Sequence, residues 1–193
     1  MRRVLSAPGG AWCVLALLLA LGALLPLVAP ALPLDWQPAQ FSHQAWRLWT
    51  AAFVHFSLLH LGSNLLGVAL VATLGWRAAV PWHLTLAWCA AWPLTHLGLL
   101  LQPELAQYGG LSGVLHAGVA VVAVWLVAHH RGRRRTLGQA MLAVLALKLL
   151  SETPWAAAVQ WREGWDIGIA PFAHVTGSLA GLGCATLAVG WRR

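Results

Sequence analysis

The stretch Thr136-Leu137-Gly138-Gln139-Ala140-Met141-Leu142-Ala143-Val144-Leu145-Ala146-Leu147-Lys148-Leu149-Leu150 decides how many times this chain crosses a membrane. It carries a single charge, Lys148, near one end. It is shorter than the roughly 20 residues that a hydrocarbon core asks of a helix, and its length alone would also suit a surface helix. Five longer uncharged stretches surround it: Val4–Leu34, Leu48–Trp76, Ala78–Pro103, Leu105–His130 and Ile167–Trp191.

Charge placement settles the question. With Met1-Arg2-Arg3 in the cytoplasm and six spans, Arg2, Arg3, Arg77, Arg131, Arg133, Arg134, Arg135, Arg192 and Arg193 fall inside. Arg47 and Arg162 fall outside, and Lys148 lies within the fifth helix, free to snorkel outward. Asp35, Glu104, Glu152, Glu163 and Asp166 all fall outside the candidate helices, on the external side. Removing the fifth span would expel Trp191-Arg192-Arg193 and spoil this positive-inside bias. The expected fold is all-α: a polytopic membrane helical bundle, one domain over residues 1–193, with six transmembrane helices and both termini cytoplasmic.

Composition agrees. Of the 193 residues 60% are hydrophobic and 9% charged, against about 25% charged in soluble domains, which argues against a water-soluble enzyme and against disorder. The net charge of +7 sits in short clusters at the ends of apolar stretches, where it sets orientation and calls for no nucleic acid. Cys13, Cys89 and Cys184 lie in apolar runs and read as small hydrophobes, neither disulfide nor metal framework. Met1-Arg2-Arg3 and the apolar run up to Val28-Ala29-Pro30-Ala31 have the outline of a signal peptide, but the run exceeds a usual h-region and favours a retained helix. Trp36, Trp46, Trp49, Trp76, Trp82, Trp155, Trp161, Trp165 and Trp191 fall near span ends and suit an interfacial belt.

Polar side chains in spanning helices mark function or packing. His60 and Asn64, four apart, share one face near the outer end of the second span. Gly109-Gly110-Leu111-Ser112-Gly113-Val114-Leu115-His116 opens the fourth, and the free amides of a helix's first turn can donate to a developing oxyanion. His174 lies roughly 12 Å beyond Asp166 if that stretch is helical, followed by Gly177 and Gly181, a small-x-x-x-small face. Six spans put His60, Asn64, Ser112 and His174 in the same outer half; five would move His174 to the opposite side. A His-x-x-x-His pair is absent, so neither metal nor other cofactor is expected.

In order, spacing and depth these residues resemble the rhomboid intramembrane serine proteases, whose core has six helices. The resemblance runs from Trp46-Arg47 through His60 and Asn64, Gly110-Leu111-Ser112-Gly113 and His174 to Gly177 and Gly181. It implies Ser112 as nucleophile, His174 as general base, and His60, Asn64 and the Ser112 amide as oxyanion donors. It implies no acidic third member. It also implies cleavage of a single-span membrane substrate near the outer, periplasmic face of a bacterial inner membrane, with that segment and membrane lipid as partners. Where many rhomboids carry an aromatic residue against the catalytic histidine, this chain has His116, and x-Leu-His after Gly-x-Ser-Gly is similar to the rhombosortase branch. That branch acts on C-terminal tails of Gly-Gly, a hydrophobic span and a basic cluster.

Blander readings stand beside these. Ser112 could be a small residue in a tight helix contact, His60 and Asn64 an interhelical hydrogen-bonding pair, and His116 the base in place of His174. His55 is expected to cap or pack the start of the second span, and Arg47 to anchor the first external loop. His43, His83, His96, His129 and His130 read as interfacial or packing residues. At the level of the whole chain the rivals are an inactive rhomboid-like chaperone or adaptor and a small transporter; no repeated halves support the latter.

Overall fold

The computed structural model describes residues 7–28 and 33–190. The expectations placed on Arg2, Arg3, Ala29, Pro30, Ala31, Trp191, Arg192 and Arg193 lie outside the described residues. Six long helices form: α1 (Gly10–Leu24), α2 (Leu58–Arg77), α3 (Trp82–Leu97), α4 (Ser112–His129), α5 (Arg133–Ser151) and α6 (Pro171–Gly190). A four-residue helix, Arg47–Thr50, precedes α2, and among the described residues there are only isolated β-bridges.

α5 overruns the Thr136–Leu150 stretch at both ends, whereas the other helices are shorter than their uncharged stretches because local chemistry stops them. Ser57 is extended and its Oγ accepts the His60 amide, so α2 begins at Leu58 and not near Leu48. Pro171 supplies the first residue of α6, where its missing N–H costs nothing. Gly110, at φ +131°, turns the chain just ahead of α4 in a conformation only glycine adopts freely.

By length and composition, five helical segments can cross a membrane: Gly10–Leu27, Leu58–Arg77, Trp82–Leu101, Ser112–His129 and Pro171–Gly190. Arg133, Arg134, Arg135 and Lys148 keep α5 outside that set. Its position nevertheless makes it the sixth member of the bundle. At 19 residues it is roughly 28 Å long, close to the hydrocarbon thickness. A methyl group on Gly138, near its start, would press on Leu126 and the Ala123 carbonyl late in α4, while Glu152, just past its end, meets His174 early in α6. The helix therefore runs antiparallel to α4 along its length.

α4 is the central element, with ten of its residues buried. Its tightest neighbour is α6. A methyl group at Gly177 would overlap the Gly113 carbonyl, one at Gly181 the Ala117 carbonyl, and one at Gly113 would sit 2.7 Å from the Ala173 oxygen. On the other side of the bundle Trp12 of α1 stacks on Trp88 of α3 at 4.3 Å, and its Nε1 donates to the Val71 carbonyl of α2. The outer surface is apolar, with Leu66, Leu70, Leu86, Leu147, Leu179 and Leu187 exposed as a lipid-facing shell requires.

A second cluster covers the Ser112 end of the bundle. Trp36 pairs with Tyr108 through reciprocal backbone bonds of 2.7 and 2.8 Å. Arg47 is buried and donates to the Asp35 carbonyl and carboxylate, at 2.7 and 3.2 Å, so it anchors the first loop as anticipated. Trp36 departs from the expected belt: it is fully buried against Phe41, because the loop folds inward over the helix ends. Trp46, Trp49, Trp76, Trp82, Trp155, Trp161 and Trp165 are exposed.

Gly177→Val should destabilise the folded protein in detergent by about 3 kcal/mol or more, since two backbones must part to admit the branched side chain. An unchanged melting temperature would show that α4 and α6 are not in contact there.

Candidate active site

The tight α4–α6 contact fixes where two side chains meet. Ser112, first residue of α4, points its Oγ at Nε2 of His174, 3.0 Å away, although 62 residues separate them. The Tyr108 hydroxyl approaches the same Oγ at 3.4 Å and also donates to the Gly110 carbonyl. Both His174 and Tyr108 are buried, so the hydroxyl sits at the edge of a dry, packed surface.

His116 lies one turn further along α4. Its ring stacks on that of His174, with centroids 4.2 Å apart and planes 11° from parallel. Its Nδ1 donates to the Ser112 carbonyl at 2.6 Å. A carbonyl accepts only, which leaves that nitrogen committed to the backbone. His174 is thus the imidazole placed on the Ser112 hydroxyl, and His116 buttresses its face.

His60 and Asn64 lie on one side of α2, as their spacing implied, and both are buried. They face Gly110: a methyl group there would come within 2.7 Å of His60 Nε2 and 3.6 Å of Asn64 Nδ2. Among the described residues, neither His60 Nδ1 nor Asn64 Nδ2 has a hydrogen-bond partner. A buried donor without a partner is costly, and a site that must later receive an anion is one place where the cost is tolerated. The start of α4 adds to it, because Leu111 provides no side-chain cap for the first-turn amides. His55 packs its ring on His60 at 4.8 Å, and burial lowers its basicity while the bond to the Phe53 carbonyl opposes that shift.

One residue contradicts the sequence expectation. The acidic side chains were read as external and without a part in the site, yet Glu152 Oε2 lies 2.7 Å from His174 Nδ1. Lys148 reaches toward the outer end of α5, as expected, and there pairs with Glu152 Oε1 at 2.5 Å. The physical reason is position: Glu152 follows the last residue of α5, so its carboxylate reaches the site without crossing the apolar interior. Tyr108 also went unnoticed, since a lone tyrosine in a loop carries no periodic signal.

Beside these residues runs a cleft of about 740 Å³ with α4 as its floor. Leu70, Val71 and Leu74 of α2 form one wall, Leu137, Val144 and Leu145 of α5 the other, and Ser112, His116 and His174 lie at its polar end. A smaller cavity of about 50 Å³, lined by Tyr108, Gly109, Gly168 and Ile169, meets the Ser112–His174 pair from the loop side.

The Rhomboid domain family model matches residues 42–191. This chain belongs to the rhomboid family. Among individual relatives, the Rhomboid protease GlpG of Salmonella paratyphi A is 29% identical over 153 residues, covering 74% of this chain and 48% of that protein. Those of Salmonella newport and Salmonella typhi match to the same extent. The chain thus spans about half the length of the curated relatives it matches. Within this rhomboid bundle the matched region takes in every residue of the site, from His60 to Gly181.

Glu152 titrates unusually low. Burial works to raise its carboxyl, but the bond and charge of His174, together with Lys148, outweigh burial and bring it from 4.5 down to about 2. A carboxyl lowered on folding stabilises the native state above its unfolded value and loses that contribution as the pH falls through its folded one. In melting experiments in detergent, the advantage of the parent over Glu152→Gln should be full above pH 4.5 and disappear toward about 2. A difference that does not vary with pH would contradict the pairing.

Proposed function

We propose that this rhomboid is an intramembrane serine endopeptidase that cleaves single-span membrane substrates. The observation that carries the reading is the 3.0 Å approach of Ser112 Oγ to His174 Nε2 at the polar end of an apolar cleft. A substrate helix lodged between α2 and α5 keeps its side chains among leucine and valine while presenting one peptide bond to Ser112.

His174 takes the Ser112 proton through Nε2 as Oγ attacks the scissile carbonyl. The oxyanion that forms is received by Asn64 Nδ2, the His60 ring and the Ser112 amide, groups whose donors await an acceptor. Collapse breaks the C–N bond, and the imidazolium returns its proton to the leaving amine. Water then attacks the ester by the same route, releasing a carboxylate product and restoring the Ser112 hydroxyl.

The substrate class we infer is the rhombosortase one, a C-terminal Gly-Gly followed by a hydrophobic span and basic residues. His116 in place of an aromatic residue supports that branch, and its flat stack on His174 is how an imidazole does an aromatic ring's packing. The arginines Arg131, Arg133, Arg134 and Arg135 at the opposite end of α4 and α5 from Ser112 support a bacterial inner membrane with the site on the periplasmic side and both termini in the cytoplasm.

In proteoliposomes with a tagged substrate, Ser112→Ala should reduce cleavage by about 10³-fold or more, and Asn64→Ala by about 10²-fold. Equal cleavage by parent and Ser112→Ala would end the protease reading; binding without cleavage or fluorophosphonate labelling of the parent would favour an inactive adaptor. Full labelling of His174→Ala would remove His174 as base. Replacing Gly-Gly in the substrate tail by Leu-Leu should abolish cleavage, and indifference to that change would discard the rhombosortase assignment.

A further inference from the structure

Rhomboid chemistry as read above needs only a hydroxyl and an imidazole, yet a third side chain is in place. We propose that Glu152 is a positioning residue that completes a Ser112–His174–Glu152 triad and fixes the tautomer of His174. The inference rests on the serine-protease reading and adds to it a group at the end of α5.

Hydrogen-bond chemistry carries the first step. A carboxylate accepts only, so at 2.7 Å from Glu152 Oε2 the Nδ1 of His174 must be the donor. With the ring's proton on Nδ1, the neutral imidazole turns its lone pair on Nε2 toward Ser112 Oγ. When Ser112 gives up its proton to Nε2, the Nδ1 proton stays on the ring, and the anionic Glu152 stabilises the imidazolium beside it. Glu152 itself gains no proton, because Lys148 holds its other oxygen in a salt bridge.

The second step is that Glu152 is built into place. Its side chain is 14% exposed. Its own carbonyl accepts from Arg162 Nη2 at 2.8 Å, and Arg162 is held in turn by Gln160. Thr153, which follows, stands at φ +48°, a left-handed conformation that a β-branched residue adopts only under constraint. Gln160 donates to the Thr153 carbonyl at 3.0 Å and fastens that turn. A carboxylate that merely lay near a histidine would need none of this, and strain held by several partners gathers at functional sites.

The third step is where the pair lies. Only Gly138 and Leu145 of α5 are buried, so this wall of the cleft is the least embedded of the long helices. The Glu152–His174 bond ties its end to α6. With the cleft already open between α2 and α5, that bond holds His174 in place while a segment occupies the cleft.

The test uses the full chain in detergent, with ¹⁵N-labelled histidine rings and with His174→Ala to assign the signals. The parent should show a neutral His174 protonated on Nδ1. In Glu152→Gln, Lys148 can hold only the amide oxygen, so the amide NH₂ faces Nδ1 and drives the proton to Nε2. Phosphonylation of Ser112 by a fluorophosphonate, in which Oγ bonds to phosphorus and fluoride leaves, should then slow by about 100-fold or more, and Glu152→Asp should recover part of it. A parent protonated on Nε2, or a Glu152→Gln that is phosphonylated within about threefold of the parent's rate, would overturn the proposal. If Glu152→Gln fails to fold, the parent's tautomer alone decides. A parent with the Nδ1 proton that is never labelled by the fluorophosphonate and cleaves no substrate supports the Glu152 pairing and overturns the protease reading, which keeps the two separable.

Discussion

The backbone contact between α4 and α6 is the constraint on which the rest of this molecule depends. Without side chains at Gly113, Gly177 and Gly181, two helices approach until carbonyl and Cα nearly touch. In hydrocarbon there is little hydrophobic gain from bringing helices together, so close van der Waals contact of small residues carries much of the association. That proximity sets a serine and a histidine against each other and leaves 3.0 Å between Ser112 Oγ and His174 Nε2. Any larger residue at Gly177 moves His174 as surely as it loosens the bundle, so stability and site geometry are one property here.

Around that contact, several buried polar groups find partners on the backbone. Thr176 donates to the Thr95 carbonyl, Ser178 to the His174 carbonyl, Trp88 to the Val114 carbonyl, and His96 to the Leu48 carbonyl. Each removes a donor from an apolar interior where it would be costly. His60 Nδ1 and Asn64 Nδ2 remain without partners, next to a glycine turn and an uncapped helix start. Side-chain donors of α2 and the uncapped start of α4 therefore lie on either side of Gly110.

Most of this was legible in the residues because helices and membranes impose strict periods. Four-residue spacings placed His60 beside Asn64 and Gly177 beside Gly181, and the six-helix reading put Ser112 and His174 at the same end of the bundle, where they meet. Glu152 was illegible for a physical reason: a carboxylate is costly in hydrocarbon, and this one avoids the cost by standing one residue past the end of α5. The signal was present in the Lys148-x-x-x-Glu152 spacing, an i,i+4 ion pair at the same depth as His174, but it could be read only with the end of α5 known. Trp36 was misread for a related reason, since the folding of a loop over helix ends leaves no periodic trace.

The shape of the cleft bears on what the proposed protease can cut. A transmembrane helix bonds all its carbonyls internally, because the bilayer offers no other partner. Ser112 can attack a carbonyl only where that ladder has opened, and donors for the opened backbone lie at one end of the cleft, around Ser112, His60 and Asn64. Along the rest, Leu70, Leu74, Leu137 and Val144 offer nothing polar, so an unwound segment there would stay unpaired. Cleavage is thereby confined to the polar end. A Gly-Gly pair suits that place, since each glycine costs a helix about 1 kcal/mol relative to alanine and so opens readily. The small cavity on the loop side, about 50 Å³ between Tyr108 and Gly168, leaves little room beside Ser112 for anything larger. In the proposed protease, depth, unwinding and side-chain size would thus converge on the same few atoms.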